Sequence, residues 1–206
     1  EHCDAVSGAF APVLARVDGR AAPAAVFGAV EGHLDAALGE PHSATKLVPT
    51  APIAGMKPGT SGLRKKTAVF AEPGYLENFV QAIFDAWELP RGCTLVLAGD
   101  GREFNAAAMQ TIVRMAAANG VGRLWVARGG VLSTPAASAV VREREGGVAA
   151  GAIVLTASHN PGGLDGDFGI KFNTADGAPA KEALTDAAYA ASETIESYKI
   201  VEGTPD

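Results

Sequence analysis

The chain has 206 residues, and its 17 Lys and Arg residues against 23 Asp and Glu give a formal net charge of −6. A nucleic-acid surface needs an excess of clustered basic residues, so this balance argues against a nucleic-acid partner. The longest apolar stretch, residues 146–157, is too short and too rich in glycine to cross a bilayer, so no membrane partner is expected. Cys3 and Cys93 are too far apart in the chain to indicate a disulfide framework or a metal cluster.

The first 45 residues differ in character from the rest. A helix is predicted from Pro23, because apolar residues follow at helical spacing until Gly39 and Pro41 end the pattern. We therefore divide the chain into a helical N-terminal extension, residues 1–45, and a domain, residues 46–206. The helix is expected to pack on the domain, and a docking element for a protein partner is the second interpretation. The six acidic residues of the extension do not favour a transit peptide.

From Thr67 onward, predicted strands and helices alternate. Strands are predicted at residues 67–70, 94–98, 123–127, 151–156 and 169–172. Helices are predicted at residues 75–87, 104–119, 135–144 and 181–196, with Gly120 just after the end of the second. This order predicts an α/β domain of three layers, with helices on both faces of a mainly parallel, mixed sheet. Loops that carry chemistry should gather at the carboxyl ends of the strands.

The most informative loop follows the apolar run at residues 151–155 and reads Thr-Ala-Ser-His-Asn-Pro, residues 156–161. A hydroxyl at a strand end, followed by two glycines, can meet a bulky anion without obstruction by side chains. A hydrolase elbow would need glycines two before and two after Ser158, where this chain has Thr156 and Asn160. Ser158 is therefore a candidate nucleophile for phosphoryl transfer rather than for hydrolysis.

Five motifs occur in a fixed order along the chain. They are K-P-G-T-S-G-L-R-K-K at 57–66, G-D-G-R at 99–102, L-S-T-P at 132–135, T-A-S-H-N-P-G-G at 156–163 and G-D-F-G-I-K-F-N at 166–173. Together they resemble the α-D-phosphohexomutase family, in its eukaryotic phosphoglucomutase form, over residues 46–206. The resemblance is to domain I, the first of four domains. Because the chain begins at Glu1 and is too short for four domains, we expect it to be part of a longer protein.

The resemblance implies a role for each candidate residue. Ser158 would carry a phosphate and exchange it with the substrate, converting glucose 1-phosphate and glucose 6-phosphate through glucose 1,6-bisphosphate. Ser158 and His159 are the candidate catalytic residues, with His159 supplying a hydrogen bond or a proton relay. The candidate substrate-binding residues are Thr60, Ser61, Arg64, Ser158 and Lys171. Mg²⁺ would contact the phosphate on Ser158, and its remaining ligands are expected outside this chain.

Several alternatives stay open. A mutase acting on another sugar phosphate would share the serine loop, and a catalytically silent relative could serve as a structural or interaction subunit. The expected partners are sugar phosphates and the downstream domains of the same protein. Residues 57–70 and 75–79 resemble plant and algal members of the family, which occur in the cytosol and in plastids. Cytoplasm is the first expectation for location and plastid stroma the second.

Overall fold

The computed structural model describes residues 45–59 and 61–203. These belong to a compact unit that begins at Thr45, and the helix predicted from Pro23 lies outside the described residues. The strands are β1 (Thr45–Pro49), β2 (Leu63–Lys66), β3 (Thr94–Gly99), β4 (Arg123–Val131), β5 (Ala149–Leu155), β6 (Asp167–Thr174) and β7 (Ser197–Val201). The α-helices are α1 (Thr67–Phe70), α2 (Tyr75–Ala86), α3 (Asn105–Ala118), α4 (Thr134–Glu143) and α5 (Glu182–Glu193).

The main sheet has five strands in the order β2-β6-β5-β3-β4. The central strand β3 runs parallel to both of its neighbours, β4 and β5. In contrast, β6 pairs antiparallel with β5 and with β2. β1 and β7 form a separate antiparallel pair. The predicted α/β fold with a mixed sheet is confirmed.

Each face of the sheet is covered by helices, which makes the domain three-layered. Leu95 and Leu97 of β3 point into one core, which also contains Phe79 of α2 and Ile112 of α3. The alternate residues of β3 join a second core against α4, made of Val96, Ala98, Trp125, Ala137, Val141, Ala149, Ala152 and Val154. All six residues of β3 are buried, as expected for a parallel strand covered on both faces. Burying one large aliphatic side chain of this kind contributes roughly 1.5–3 kcal/mol.

The strand predicted at residues 67–70 is wrong, because this segment is the short helix α1. The strand lies just before it, in β2, and the chain turns where the amide and hydroxyl of Thr67 both bind the Gly166 carbonyl, at 3.0 and 3.3 Å. Thr67 and Phe70 are buried at a spacing of three, which is helical. A four-residue apolar run is too short to show its period, and tertiary contacts decided its conformation.

The remaining helices and strands lie within a few residues of the predictions, with two exceptions. The helix predicted to reach residue 196 ends at Glu193, and Ser197–Val201 forms β7 instead. β1 and β7 were not predicted, because each has five residues with no fully buried position. Gly120 has φ +85° directly after the cap of α3, as predicted. No helix in the described part of the chain has the length and apolarity needed to span a bilayer.

The aromatic cluster that fixes α1 gives a test of the fold. The Phe70 ring lies 5.3 Å from the Tyr75 ring and 5.0 Å from the Phe168 ring, both edge to face, and is 1% exposed. Phe70→Ala should lower the free energy of unfolding by about 3–5 kcal/mol, because it leaves a cavity under the turn. Denaturant unfolding measures this. Val148→Ala, at an exposed valine, should change stability by less than about 0.5 kcal/mol, and an equally mild Phe70→Ala would contradict the packing described.

Candidate active site

The candidate site forms where the neighbouring strands β3 and β5 end. Gly99, the last residue of β3, pairs with Leu155, the last residue of β5. The residues that follow, Asp100 and Thr156, therefore begin their loops side by side, and the Asp100 amide donates to the Leu155 carbonyl at 3.0 Å. Ser158 lies two residues further on and is exposed. The loop is thus at the carboxyl edge of the parallel strands, where α/β proteins bind ligands.

Ser158 has an unusual backbone conformation. Its φ of +56° lies in the left-handed region, which residues other than glycine rarely adopt. Such a residue costs on the order of 1–3 kcal/mol and persists only where its surroundings hold it. The adjacent Ala157 is fully buried and anchors the loop, while the Ser158 hydroxyl is on the surface.

Arg64 of β2 reaches the Ser158 hydroxyl. Its Nη2 donates to Ser158 Oγ at 2.7 Å, although the two residues are 94 positions apart. Arg64 pairs with Gly169 of β6, where a side chain would collide with the Thr156 carbonyl and would lie 3.1 Å from Arg64 Cγ. The glycine therefore lets the arginine pass close to the serine loop. Arg64 Nε is buried and has no hydrogen-bond partner among the described residues, so the guanidinium retains an unused donor beside the serine.

Lys171 of β6 adds a second cation. Burial lowers the pKa of Lys171 below its ordinary value, the positive charge of Arg64 lowers it further, and Asp100 partly opposes both. The amine is thus close enough to both charges to respond to them. Arg64 contacts the Ser158 hydroxyl and lacks a carboxylate partner among the described residues, and with Lys171 as a second cation close to Arg64 this arrangement favours binding of an anion.

Asp100 and Arg102 form a network beneath the serine loop. Arg102 donates from Nε and Nη2 to both Asp100 carboxylate oxygens at 2.8–3.0 Å, and Thr156 Oγ1 donates to Asp100 Oδ2 at 2.6 Å. Burial would raise the pKa of Asp100, but the hydrogen bonds from Arg102 and Thr156 and the charge of Arg102 hold it below its usual value. Arg102 also donates to the Ser158 carbonyl at 3.1 Å and to the Asp167 carbonyl. The G-D-G-R motif at 99–102 is recognisable in the sequence, but no role in the site was predicted for its residues.

The segment from Asp165 to Asp167 is a turn that leads into β6. The Asp167 carboxylate binds Lys66 Nζ at 2.9 Å and Asn160 Nδ2 at 2.8 Å, and these contacts hold its pKa below the ordinary value. Within residues 45–59 and 61–203, no three His, Cys, Asp or Glu side chains are grouped so that they could hold a metal ion. Asp167 instead binds Asn160 in the serine loop and Lys66 in β2, and these contacts hold the far end of the loop in place.

The structure brings some of the candidate residues together and leaves others apart. Arg64 and Ser158 are in contact, and Lys171 is near enough to respond to the charge of Arg64. His159 and Ser61 are exposed, and their side chains form no hydrogen bond with other described residues. Thr60 lies outside the described residues. The roles predicted for these residues stay predictions.

Comparison with known proteins shows the family of this chain. Residues 55–199 match the family model described as phosphoglucomutase/phosphomannomutase, alpha/beta/alpha domain I. Over 164 residues, 77% of this chain, it is 57% identical both to "Probable phosphoglucomutase, cytoplasmic 2" of Arabidopsis thaliana and to "Phosphoglucomutase, cytoplasmic" of Solanum tuberosum. The crystal structure of the Paramecium phosphoprotein pp63/parafusin, a phosphoglucomutase in its open form, matches with a TM-score of 0.74 and 47% identity, covering 78% of this chain and 29% of that one.

The fold and site define an α/β/α domain with an arginine-bound serine at the carboxyl edge of its parallel strands. The chain belongs to the phosphoglucomutase/phosphomannomutase family and contains its domain I. It spans 28% of the length of the curated relatives it matches.

The two cations should be coupled electrostatically, and this coupling can be measured. Arg64→Gln removes a positive charge near Lys171, so the ammonium becomes easier to form and the pKa of Lys171 should rise towards its ordinary value. Burial remains, so part of the depression should persist. NMR titration of the lysine ε-carbons follows the change. Arg91→Gln removes the same charge from the exposed loop before β3, at the opposite edge of the sheet, and should leave Lys171 unchanged. If the pKa of Lys171 does not rise in Arg64→Gln, the two side chains are not electrostatically coupled.

Proposed function

We propose that this chain is the phosphate-carrying domain of a phosphoglucomutase that interconverts glucose 1-phosphate and glucose 6-phosphate. The observation that carries the proposal is the contact of Arg64 with the Ser158 hydroxyl, together with the unused buried donor at Arg64 Nε. A phosphate on Ser158 would place anionic oxygens beside the Arg64 guanidinium, and arginine suits two-point binding of phosphate. The names of the relatives from Arabidopsis and Solanum support the same reaction.

In the proposed cycle, Ser158 begins as a phosphoserine. The bond between phosphorus and Ser158 Oγ breaks as a bond forms to the 6-hydroxyl oxygen of glucose 1-phosphate. The hydroxyl loses its proton, Ser158 Oγ gains one, and His159 is the proposed relay. The resulting glucose 1,6-bisphosphate then returns its 1-phosphate to Ser158 by the reverse exchange. Arg64 and Lys171 stabilise the negative charge of the group during each transfer.

Mg²⁺ is proposed as the cofactor, and the described residues near Ser158 can provide few oxygen ligands for it. Magnesium prefers oxygen ligands in an octahedral arrangement. In the described part of the chain, the carboxylates nearest the serine, Asp100 and Asp167, already bind Arg102 and Lys66. A phosphate oxygen on Ser158 would be the one ligand from this domain, and the remaining ligands would come from other domains. When bound, the metal would neutralise charge on the transferred phosphoryl group.

The sugar, the location and the partners are also part of the proposal. Glucose phosphate is favoured over other sugar phosphates by the names of the similar relatives, and cytoplasm over plastid stroma for the same reason. A silent structural relative is the second candidate, and the intact contact between Arg64 and Ser158 argues against it. The N-terminal extension is proposed to pack on the domain or to bind a protein partner.

The first test asks where the phosphate resides. The complete protein, incubated with glucose 1,6-bisphosphate, should acquire one phosphate at Ser158, as found by intact-mass measurement and peptide mapping. Ser158→Ala should abolish this labelling and lower kcat by on the order of a thousandfold or more, because the phosphate carrier is lost.

The control for this test is Ser197→Ala in β7, which should keep both labelling and turnover. Circular dichroism should be the same for both variants, because neither change opens a core cavity. Phosphate on Ser61, Ser133 or Thr134 in place of Ser158 would contradict the assignment, and so would retention of more than a few per cent of activity.

The second test concerns residues 1–206 alone, which we expect to be inactive. The described residues contain no cluster able to hold a metal, and the Ser158 hydroxyl is open to water on the side away from Arg64. A phosphoryl transfer needs charge stabilisation and exclusion of water around the moving group. The assay supplies magnesium, glucose 1-phosphate and bisphosphate primer and follows glucose 6-phosphate. Turnover proportional to the amount of this segment would show that it completes the site by itself.

A further inference from the structure

Asp100, Arg102 and Thr156 surround the backbone of Ser158 without touching its hydroxyl. We propose that these three residues, called here the Asp100 clamp, hold Ser158 in its left-handed conformation and that Thr156 is a positioning residue for phosphoryl transfer. The inference rests on the proposed function for its catalytic part. Its conformational part stands on the geometry of the domain alone.

The first arm of the clamp is the Thr156 hydroxyl. A hydroxyl has one proton, and Thr156 Oγ1 is 2.6 Å from Asp100 Oδ2, an oxygen of a carboxylate that also binds Arg102. An ionised carboxylate only accepts, so the Thr156 proton points to Asp100 and a lone pair of Oγ1 is left free. That lone pair accepts the Ser158 amide at 2.9 Å. The orientation of the Ser158 amide is thereby linked to the Asp100 carboxylate.

The second arm is the Arg102 guanidinium. Its side chain is 7% exposed, and its fork is fixed on both oxygens of Asp100. From that position Nη2 also donates to the Ser158 carbonyl at 3.1 Å, and Nη1 donates to the Asp167 carbonyl where β6 begins. The guanidinium therefore ties the serine loop to the start of β6 as well as to the end of β3.

The two arms hold opposite sides of the same residue. The amide of Ser158 is bound through Thr156 and its carbonyl through Arg102, and both partners are fixed to one carboxylate. Restraining both peptide groups of a residue fixes its φ and ψ, which explains how a serine persists at φ +56°. In this conformation Oγ meets Arg64 Nη2 at 2.7 Å. A residue that relaxed to negative φ would aim Oγ elsewhere.

The expected consequence is kinetic. A displacement of a reacting group by about 1 Å can lower a rate by on the order of a hundredfold, while binding of distant parts of the substrate is little changed. The clamp should therefore affect kcat much more than KM. It should also alter the environment of a phosphate carried on Ser158, because that phosphate would move relative to Arg64.

The test uses the complete protein and two substitutions at one position. Thr156→Val removes the hydroxyl and keeps the shape, and Thr156→Ser keeps the hydroxyl. We expect kcat to fall by roughly 10- to 100-fold in Thr156→Val with KM within about threefold of wild type, and Thr156→Ser to restore kcat to within about fivefold. The ³¹P resonance of the phosphoserine should shift in Thr156→Val and stay near its wild-type position in Thr156→Ser.

A matched control is available in β3. Thr94 is another buried threonine, and its Oγ1 accepts from Arg123 Nε at 3.2 Å at the opposite end of the sheet. Thr94→Val should change stability without changing kcat or the ³¹P resonance. If Thr156→Val does not fold, Arg102→Lys tests the other arm, because a lysine cannot donate to two carboxylate oxygens and a carbonyl in this planar geometry. It should lower kcat in the same range.

The outcomes separate the clamp from the proposed function. A kcat within twofold of wild type in Thr156→Val would overturn the positioning role, and so would equal losses in the valine and serine variants, because the serine variant keeps the hydroxyl. Absence of mutase turnover in the wild-type protein would overturn the proposed function instead. In that case the crystal structure of Thr156→Val tests the clamp. If Ser158 keeps a φ near +56° in that structure, the Thr156 hydroxyl does not hold the left-handed conformation.

Discussion

The register between β3 and β5 is the constraint on which the site depends. Because Gly99 pairs with Leu155, both strands end at the same level, and the next residues, Asp100 and Thr156, face each other across one hydrogen bond. A slip of one residue would reverse the direction of each side chain in the slipped strand. It would bury polar groups now at the edge and separate the Asp100 carboxylate from the hydroxyl. The register is secured by alternate burial on the two faces of these strands, so the packing of both cores fixes the geometry of the serine loop.

The antiparallel half of the sheet has a different part in the site. β6 carries Lys171 and pairs with β5, and β2, on the other side of β6, brings in Arg64, so both cations come from the antiparallel part of the sheet. Burial lowers the pKa of Lys171, and the positive charge of Arg64 lowers it further, so bringing the two cations together has an electrostatic cost. An anion beside them would remove that cost. This arrangement of charge favours a bound anion, and the carboxylates of Asp100 and Asp167 are paired with Arg102 and Lys66.

Sequence patterns identified most of the fold, and their failures have physical causes. Long segments such as α3 and the fully apolar β3 show their type through periodicity and burial. The four residues of α1 show no clear period, and their conformation follows from where the Phe70 ring can pack. β1 and β7 pair across about 150 residues and bury little, so neither has a local signal.

Less of the candidate site than of the fold could be predicted from the sequence. Ser158 and Arg64 were identified through a resemblance of motifs, because no local pattern links residues 94 positions apart. The left-handed conformation of Ser158 could not be predicted, since its hydrogen bonds depend on the loop after β3 as well as on its own loop. Asp100 and Arg102 were seen as a motif, but their role depends on strand register, which is a tertiary property. Local signals therefore locate reactive side chains better than they locate the groups that orient them.

The contacts of Ser158 within this domain bear on the proposal that phosphoryl transfer also needs other domains. Arg64 of β2 donates to the Ser158 hydroxyl, Lys171 lies on the neighbouring strand β6, and Ser158 is exposed. Transfer requires a second set of charges on the substrate side and a barrier to water, and these would come together only when a sugar phosphate is bound between domains. Dividing the charges between domains would thus keep the phosphate on Ser158 while the site is open and make it reactive when the site closes.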